Sequence, residues 1–78
     1  MEAKIMNILC EICPEVDFET ETELIDDGIL DSFSVIQIVT NLMEEFDIYI
    51  DADDIEPENL NSFQAICELV AQKIEDRW

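Results

Sequence analysis

The sequence predicts an all-α fold: one small four-helix bundle, with three main helices, a short third helix and a long first loop. Three observations lead there. Three segments place apolar residues three and four positions apart, the period of a helix with one buried face. The chain holds one glycine and two prolines, too little turn chemistry for a many-stranded domain. Its 78 residues, 49% of them apolar, supply one compact core, because a domain of this size buries only about 60% of the surface its unfolded chain exposes. Residues 1–78 therefore read as a single domain, without internal repeat.

Helix one is expected from about Glu2 to Cys13, with Ile5, Ile8, Leu9 and Ile12 on one face. Pro14 ends it, since the residue before a proline avoids the α region. From Glu15 to Leu30 runs an acidic connection in which Val16, Phe18, Leu24, Ile25, Ile29 and Leu30 are scattered anchors rather than a periodic series. A connection of that length in a small domain is functional or packed down by its own side chains.

Helix two spans about Ser32 to Phe46, where Val35, Ile36, Ile38, Val39, Leu42, Met43 and Phe46 recur at helical spacing. Asp31 or Ser32 is its N-cap. Asp47 to Ile50 alternates as a strand would, but a lone strand has nothing to pair with; it reads as an extended connection whose apolar side chains cover the bottom of the bundle. Asp51 to Glu58 forms one short or irregular helical turn containing Pro57. The last helix starts near Asn61, with Asn61 and Gln64 as a variant capping box, and continues through Phe63, Ile66, Cys67, Val70 and Ile74. Lys73 and Arg77 in its final turns complement the helix dipole, and Trp78 docks or frays.

Charge narrows the function. Twenty-one acidic residues against three basic ones leave a net charge of −18, which repels nucleic acid and anionic membrane surfaces and favours partners with basic patches. The same self-repulsion predicts that added salt stabilises the fold. No apolar run approaches the roughly 20 residues that span a bilayer, and no export signal opens the chain, so a cytoplasmic setting is expected. Cys10, Cys13 and Cys67 then read as reduced thiols. Cys10 and Cys13 are spaced as C-x-x-C, but the chain has no histidine and no second cysteine pair to complete a zinc site. The acidic run from Asp51 fails as a calcium loop, because its sixth position is Glu56 rather than glycine and its twelfth is Ser62 rather than an acid. No metal site is expected.

The segment Asp26-Asp27-Gly28-Ile29-Leu30-Asp31-Ser32-Phe33 ends the long loop and sets a serine hydroxyl on the first turn of helix two. That serine has two readings. It caps the helix, or it carries a phosphate, which the partial positive charge of a helix N-terminus favours. Nucleophilic catalysis by Ser32 would need a base, and the absence of histidine removes the commonest one. The carboxylate pairs Asp26/Asp27 and Asp53/Asp54 would need a low-dielectric cleft to separate their pKa values, and a core this small does not easily enclose one. The inventory describes a protein acted upon by enzymes rather than an enzyme.

From Gly28 to Phe46, with Asp31-Ser32-Phe33 opening a helix that ends Met43-Glu44-Glu45-Phe46, the chain resembles the attachment region of the acyl and peptidyl carrier proteins. Ile50 to Val70, with Ile55-Glu56-Pro57-Glu58-Asn59-Leu60 and Phe63, is similar to that family's third and fourth helices. Two departures stand out. Ile29 and Leu30 both separate Gly28 from the Asp-Ser pair, where fatty-acid carriers commonly have one residue; this spacing is more similar to D-alanyl carrier proteins and to some stand-alone carriers of specialised metabolism, whereas the third helix looks acyl-carrier-like. Ser34 also replaces the acid common after the apolar residue in fatty-acid carriers.

The resemblance implies that Ser32 carries 4′-phosphopantetheine from coenzyme A, with Asp31 as the flanking acid, and that the arm's thiol holds an acyl or aminoacyl thioester. It implies a fatty-acid, polyketide, nonribosomal peptide or D-alanyl transfer type of pathway, and a monomer with no catalytic activity of its own. The implied partners are a phosphopantetheinyl transferase, an adenylating ligase or acyltransferase, and downstream acceptor enzymes. By position on helix two, Phe33, Ile36, Gln37, Thr40 and Glu44 form the partner face, leaving Ile38, Val39, Leu42 and Phe46 to the core. Phe33 and Ile36 are also large apolar residues of the kind that bury. The alternative is an acidic interaction module or nucleic-acid mimic without a covalent arm.

Overall fold

Apolar faces set by the helical period assemble the bundle. In a computed structural model, described for residues 1–76, α1 (Glu2–Ile12), α2 (Ser32–Phe46), α3 (Pro57–Leu60) and α4 (Phe63–Asp76) follow in that order, with one 3₁₀ turn at Ala52–Asp54. No strand occurs among the described residues. Arg77 and Trp78, expected in the final turn and at a docked or frayed terminus, lie outside the described residues.

The centre is made by Ile5 and Leu9 of α1, Ile38 and Leu42 of α2, Ile66 and Val70 of α4, and Leu24 of the long loop, all sealed from solvent. α1 packs on α2, α3 packs on α4, and α1 and α2 both touch α4. The expected face of α1 is found, Ile5 and Leu9 buried and Ile8 and Ile12 packed at its margin. In α4, Leu69 joins Ile66, Cys67 and Val70 in the core, a residue outside the series read from the sequence. Each complete burial of such an aliphatic side chain stabilises the fold by about 1.5–3 kcal/mol.

The long loop is packed down by its own side chains. Phe18, Leu24 and Leu30 are buried, and Val16, Ile25 and Ile29 lean on the core. After α2, Asp47 adopts a left-handed conformation (φ 54°) and Ile48 donates its N–H to the Met43 carbonyl at 3.2 Å, a helix-ending turn that asparagine and aspartate tolerate better than most residues. The extended segment that follows buries Ile48 and Ile50 and turns Tyr49 to solvent, as alternation requires.

Two local expectations are corrected. Asp51 to Glu58 does not form one turn. Asp51 caps the 3₁₀ turn, its side chain accepting the Asp53 N–H at 2.9 Å while Asp54 Oδ2 accepts the Asp51 N–H at 3.2 Å, and Pro57 separately opens α3, where its missing N–H costs nothing. Asn61 and Gln64 do not form a capping box either. α4 starts at Phe63, Ser62 Oγ accepts the Ala65 N–H at 3.1 Å, and Gln64 reaches Glu68 at 3.4 Å. The Asn61 side chain is engaged by the long loop instead.

Candidate functional site

The loop before α2 is held from both ends. Gly28 has φ +72°, a conformation that disfavours residues with a Cβ, and its N–H closes a turn on the Ile25 carbonyl at 3.0 Å. The Leu30 N–H donates to the Leu24 carbonyl at 3.0 Å, and the Leu24 N–H donates to the Asn61 carbonyl at 2.9 Å. Asn61 Oδ1 also accepts the Ile25 N–H at 2.9 Å. The α3–α4 junction thereby fixes where the chain enters α2.

At that entry Asp31, in extended conformation, is the N-cap; its Oδ1 accepts the Ser34 N–H at 2.8 Å. Ser34, through its backbone N–H first and its hydroxyl second, holds the Asp31 carboxyl below the usual carboxylate range against the opposing effect of burial, with the Phe33 N–H adding to the lowering. The choice left open between Asp31 and Ser32 as cap is thereby settled for Asp31. Ser32 is the first residue of α2, exposed, and its hydroxyl has no hydrogen-bond partner among the described residues. It stands where unpaired backbone N–H groups and the helix dipole favour an anion.

Beside Ser32 opens an apolar groove of about 350 Å³. Val35 and Ile36 of α2 form one side; Ile55, Pro57 and Leu60 form the other, with Ile25 at its end. Asp31 and Glu56 also line it. Behind Leu30, Val35 and Leu60 the core closes against Ile38 and Ile66, leaving no space for a water molecule. The site is an open trough, not the enclosed low-dielectric cleft that carboxylate acid–base chemistry needs. No group of three or more possible metal ligands occurs among the described residues, and no described helix is long and apolar enough to cross a membrane.

Along α2, Phe33, Ile36, Gln37, Thr40 and Glu44 are all exposed, while Ile38, Val39 and Leu42 are buried and Phe46 is half-buried against the core. Phe33 and Ile36 keep 61% of their surface in water. The structure places Ser32 and Asp31 together at the α2 N-terminus and puts the five expected partner-face residues on the exposed side of that helix. The sequence reading missed the groove's second wall, because Ile55, Pro57 and Leu60 belong to no periodic series and carry no local sign of facing Ser32.

An uncommitted hydroxyl on a helix N-terminus, next to an apolar trough, suits a phosphodiester-linked arm. Residues 3–72 match the phosphopantetheine attachment site family. The chain belongs to the acyl and peptidyl carrier proteins. It is 39% identical over 59 residues to an acyl carrier protein of Desulforapulum autotrophicum, covering 72% of this chain and 77% of that one. It is 28% identical over 75 residues to D-alanyl carrier proteins of Bacillus cereus and Bacillus anthracis, covering 94% of this chain and 90% of theirs. No solved structure matches the chain. This carrier protein accordingly bears covalently attached 4′-phosphopantetheine, and a group of that kind supplies a flexible arm ending in a thiol.

Proposed function

We propose that Ser32 is the attachment residue and that this carrier, working in the cytoplasm, holds an acyl or aminoacyl group as a thioester on the arm and passes it between enzymes. One observation carries the reading: Asp31 takes the Ser34 N–H at 2.8 Å, so the exposed Ser32 hydroxyl is free to react without uncapping α2. In the attachment step Ser32 Oγ attacks the pantetheine-bearing phosphorus of coenzyme A. A P–O bond forms, the P–O bond to adenosine 3′,5′-bisphosphate breaks, and the hydroxyl proton passes to a base. No side chain among the described residues is hydrogen-bonded to the Ser32 hydroxyl, and we assign that base to the phosphopantetheinyl transferase. A loading ligase or acyltransferase and an acceptor enzyme complete the cycle, with no catalysis by the carrier itself.

Partner contact is proposed at Phe33, Ile36, Gln37, Thr40 and Glu44. From Ser32 to Met43 this helix has no charged residue, although the chain carries −18. Steering by net charge and anchoring by contact are therefore separated: the acidic surface attracts basic partners from a distance, and Phe33 and Ile36 supply the apolar anchor once they meet. Relatives of both acyl and D-alanyl type leave both cargo classes within the proposal.

Intact-mass measurement tests the attachment. The purified chain is incubated with coenzyme A and a broad-specificity phosphopantetheinyl transferase, beside Ser32→Ala. A gain of one phosphopantetheine in the wild type and none in Ser32→Ala is the expected result. Equal gain in both, or no gain when a control carrier is modified, overturns it.

A further inference from the structure

We infer that Lys73, on α4, is the positioning residue for the groove wall that faces Ser32 from the α3 side, and that it acts through Asp54. Its bearing on the arm rests on the Ser32 reading above; the positioning itself does not.

The segment that forms this wall cannot hold its own place. The 3₁₀ turn has three residues and α3 has four, far below the length at which a helix is stable alone. The 3₁₀ turn buries none of its residues and α3 buries only Leu60. Five of the eight residues from 51 to 58 are acidic, so the segment repels itself.

Asp54 is where the segment is tied. Its Oδ2 accepts the Asp51 N–H at 3.2 Å and meets Lys73 Nζ at 2.8 Å. Its carbonyl accepts Asn59 Nδ2 at 2.9 Å and the Glu56 N–H at 3.1 Å. One residue thus joins the 3₁₀ turn, α3 and α4, and the groove residue Ile55 comes immediately after it. Ile55 is 37% exposed, so burial holds it only in part.

The pair differs from an ordinary surface contact. Lys73 and Asp54 side chains keep 20% and 21% of their surface exposed, against 65% and 45% for Lys4 and Glu45, which stand 3.4 Å apart. Asp54 raises the Lys73 pKa above its ordinary value, and the charges of Asp51 and Asp76 add to it. Lys73 is one of only three basic residues in the sequence. Removing its charge leaves five carboxylates with no cation from α4 among them, and the wall moves away from α2.

The test uses the protein without an arm. Backbone amide exchange is followed at Asp54, Ile55, Asn59 and Asn61, together with the methyl resonances of Ile36, which lines the opposite wall and belongs to a different helix. Lys73→Met keeps most of the apolar stem and removes the charge. It should speed exchange at those four amides by about tenfold while Leu9 and Leu42 stay within about twofold of wild type, the pattern of a local opening. The Ile36 methyl resonances should shift, Asp54→Asn should reproduce both changes, and Lys73→Arg should restore wild-type behaviour. Absence of either change in Lys73→Met, a parallel rise at Leu9 and Leu42, or failure of Lys73→Arg to restore the wild-type pattern overturns the inference. Failure of Ser32 to accept an arm is read separately, by mass.

Discussion

The Asn61 carboxamide engages Asp26 twice: its oxygen accepts the Asp26 backbone N–H at 3.1 Å, and its nitrogen donates to Asp26 Oδ2 at 3.1 Å. With the Ile25 N–H on the same oxygen, one side chain satisfies three groups of a loop 35 and 36 positions earlier in the chain. Asn61→Ala leaves the part-buried Ile25 N–H without its partner. The expected cost is about 1–2 kcal/mol in urea unfolding, with faster amide exchange at Ile25 and Asp26.

Asp31 and Ser32 should separate cleanly in thermal melts. Asp31→Ala removes the cap and should lower stability by about 1 kcal/mol, which for a domain of this length is about 4–8 °C in Tm. Ser32→Ala should stay within about 0.5 kcal/mol of wild type. Equal losses in the two variants would show the serine hydroxyl sharing the cap.

Phe33→Ala and Ile36→Ala change exposed positions, so each should leave stability within about 0.5 kcal/mol of wild type. Each should nevertheless raise the transferase KM by about tenfold, the cost of losing an apolar anchor of roughly 1–2 kcal/mol. The rise should persist at high salt, where charge steering is screened. A KM change that vanishes with salt would place the contact among the carboxylates instead.

The Asp54–Lys73 pair predicts a pH signature. Lys73, first by its hydrogen bond, holds the Asp54 carboxyl below its ordinary value of 3.8, so the pair's contribution is complete above about pH 4 and is lost as pH falls through the lower folded-state value. The raised Lys73 value means the contribution is also complete below 10.5 and lost above the folded-state value. The stability difference between wild type and Asp54→Asn should therefore be constant between pH 5 and 8 and shrink toward pH 3, measured by urea unfolding at each pH.

Thiol reactivity should follow burial. Cys10 is exposed, whereas Cys13 and Cys67 are buried; burial, followed by the Glu2 charge, pushes the Cys67 thiol up. Brief alkylation of the native protein should label Cys10 alone, and all three after unfolding. Rapid labelling at Cys67 would show that α4 opens far more often than its packing implies.

The parts legible in the sequence are those written in local periodicity. Ile5 and Leu9, or Ile38 and Leu42, announce their helices by spacing, and Asp31-Ser32 announces a helix start by residue type. The exposure of Phe33 and Ile36 follows from the phase of α2, whose buried side is set by Val35, Ile38, Val39 and Leu42. What stayed hidden is tertiary. Asn61 looks like a cap beside Gln64, and nothing within several residues of it reveals a partner at Asp26. Ile55 and Pro57 become groove residues only when Lys73 and Asn59 fold the 3₁₀ turn and α3 against the rest.

Among the described residues, no polar or charged side chain is buried; the core is wholly apolar. The carboxylates thus lie outside the interior, and only those that cap or tie a segment, such as Asp31, Asp51 and Asp54, take part in holding the fold. The outward residues of α2 can be exchanged while the same seven interior side chains go on specifying the shape. On the proposed reading, the residues that meet partners and the residues that specify the shape are different ones, so the outer face of α2 can vary while the fold persists.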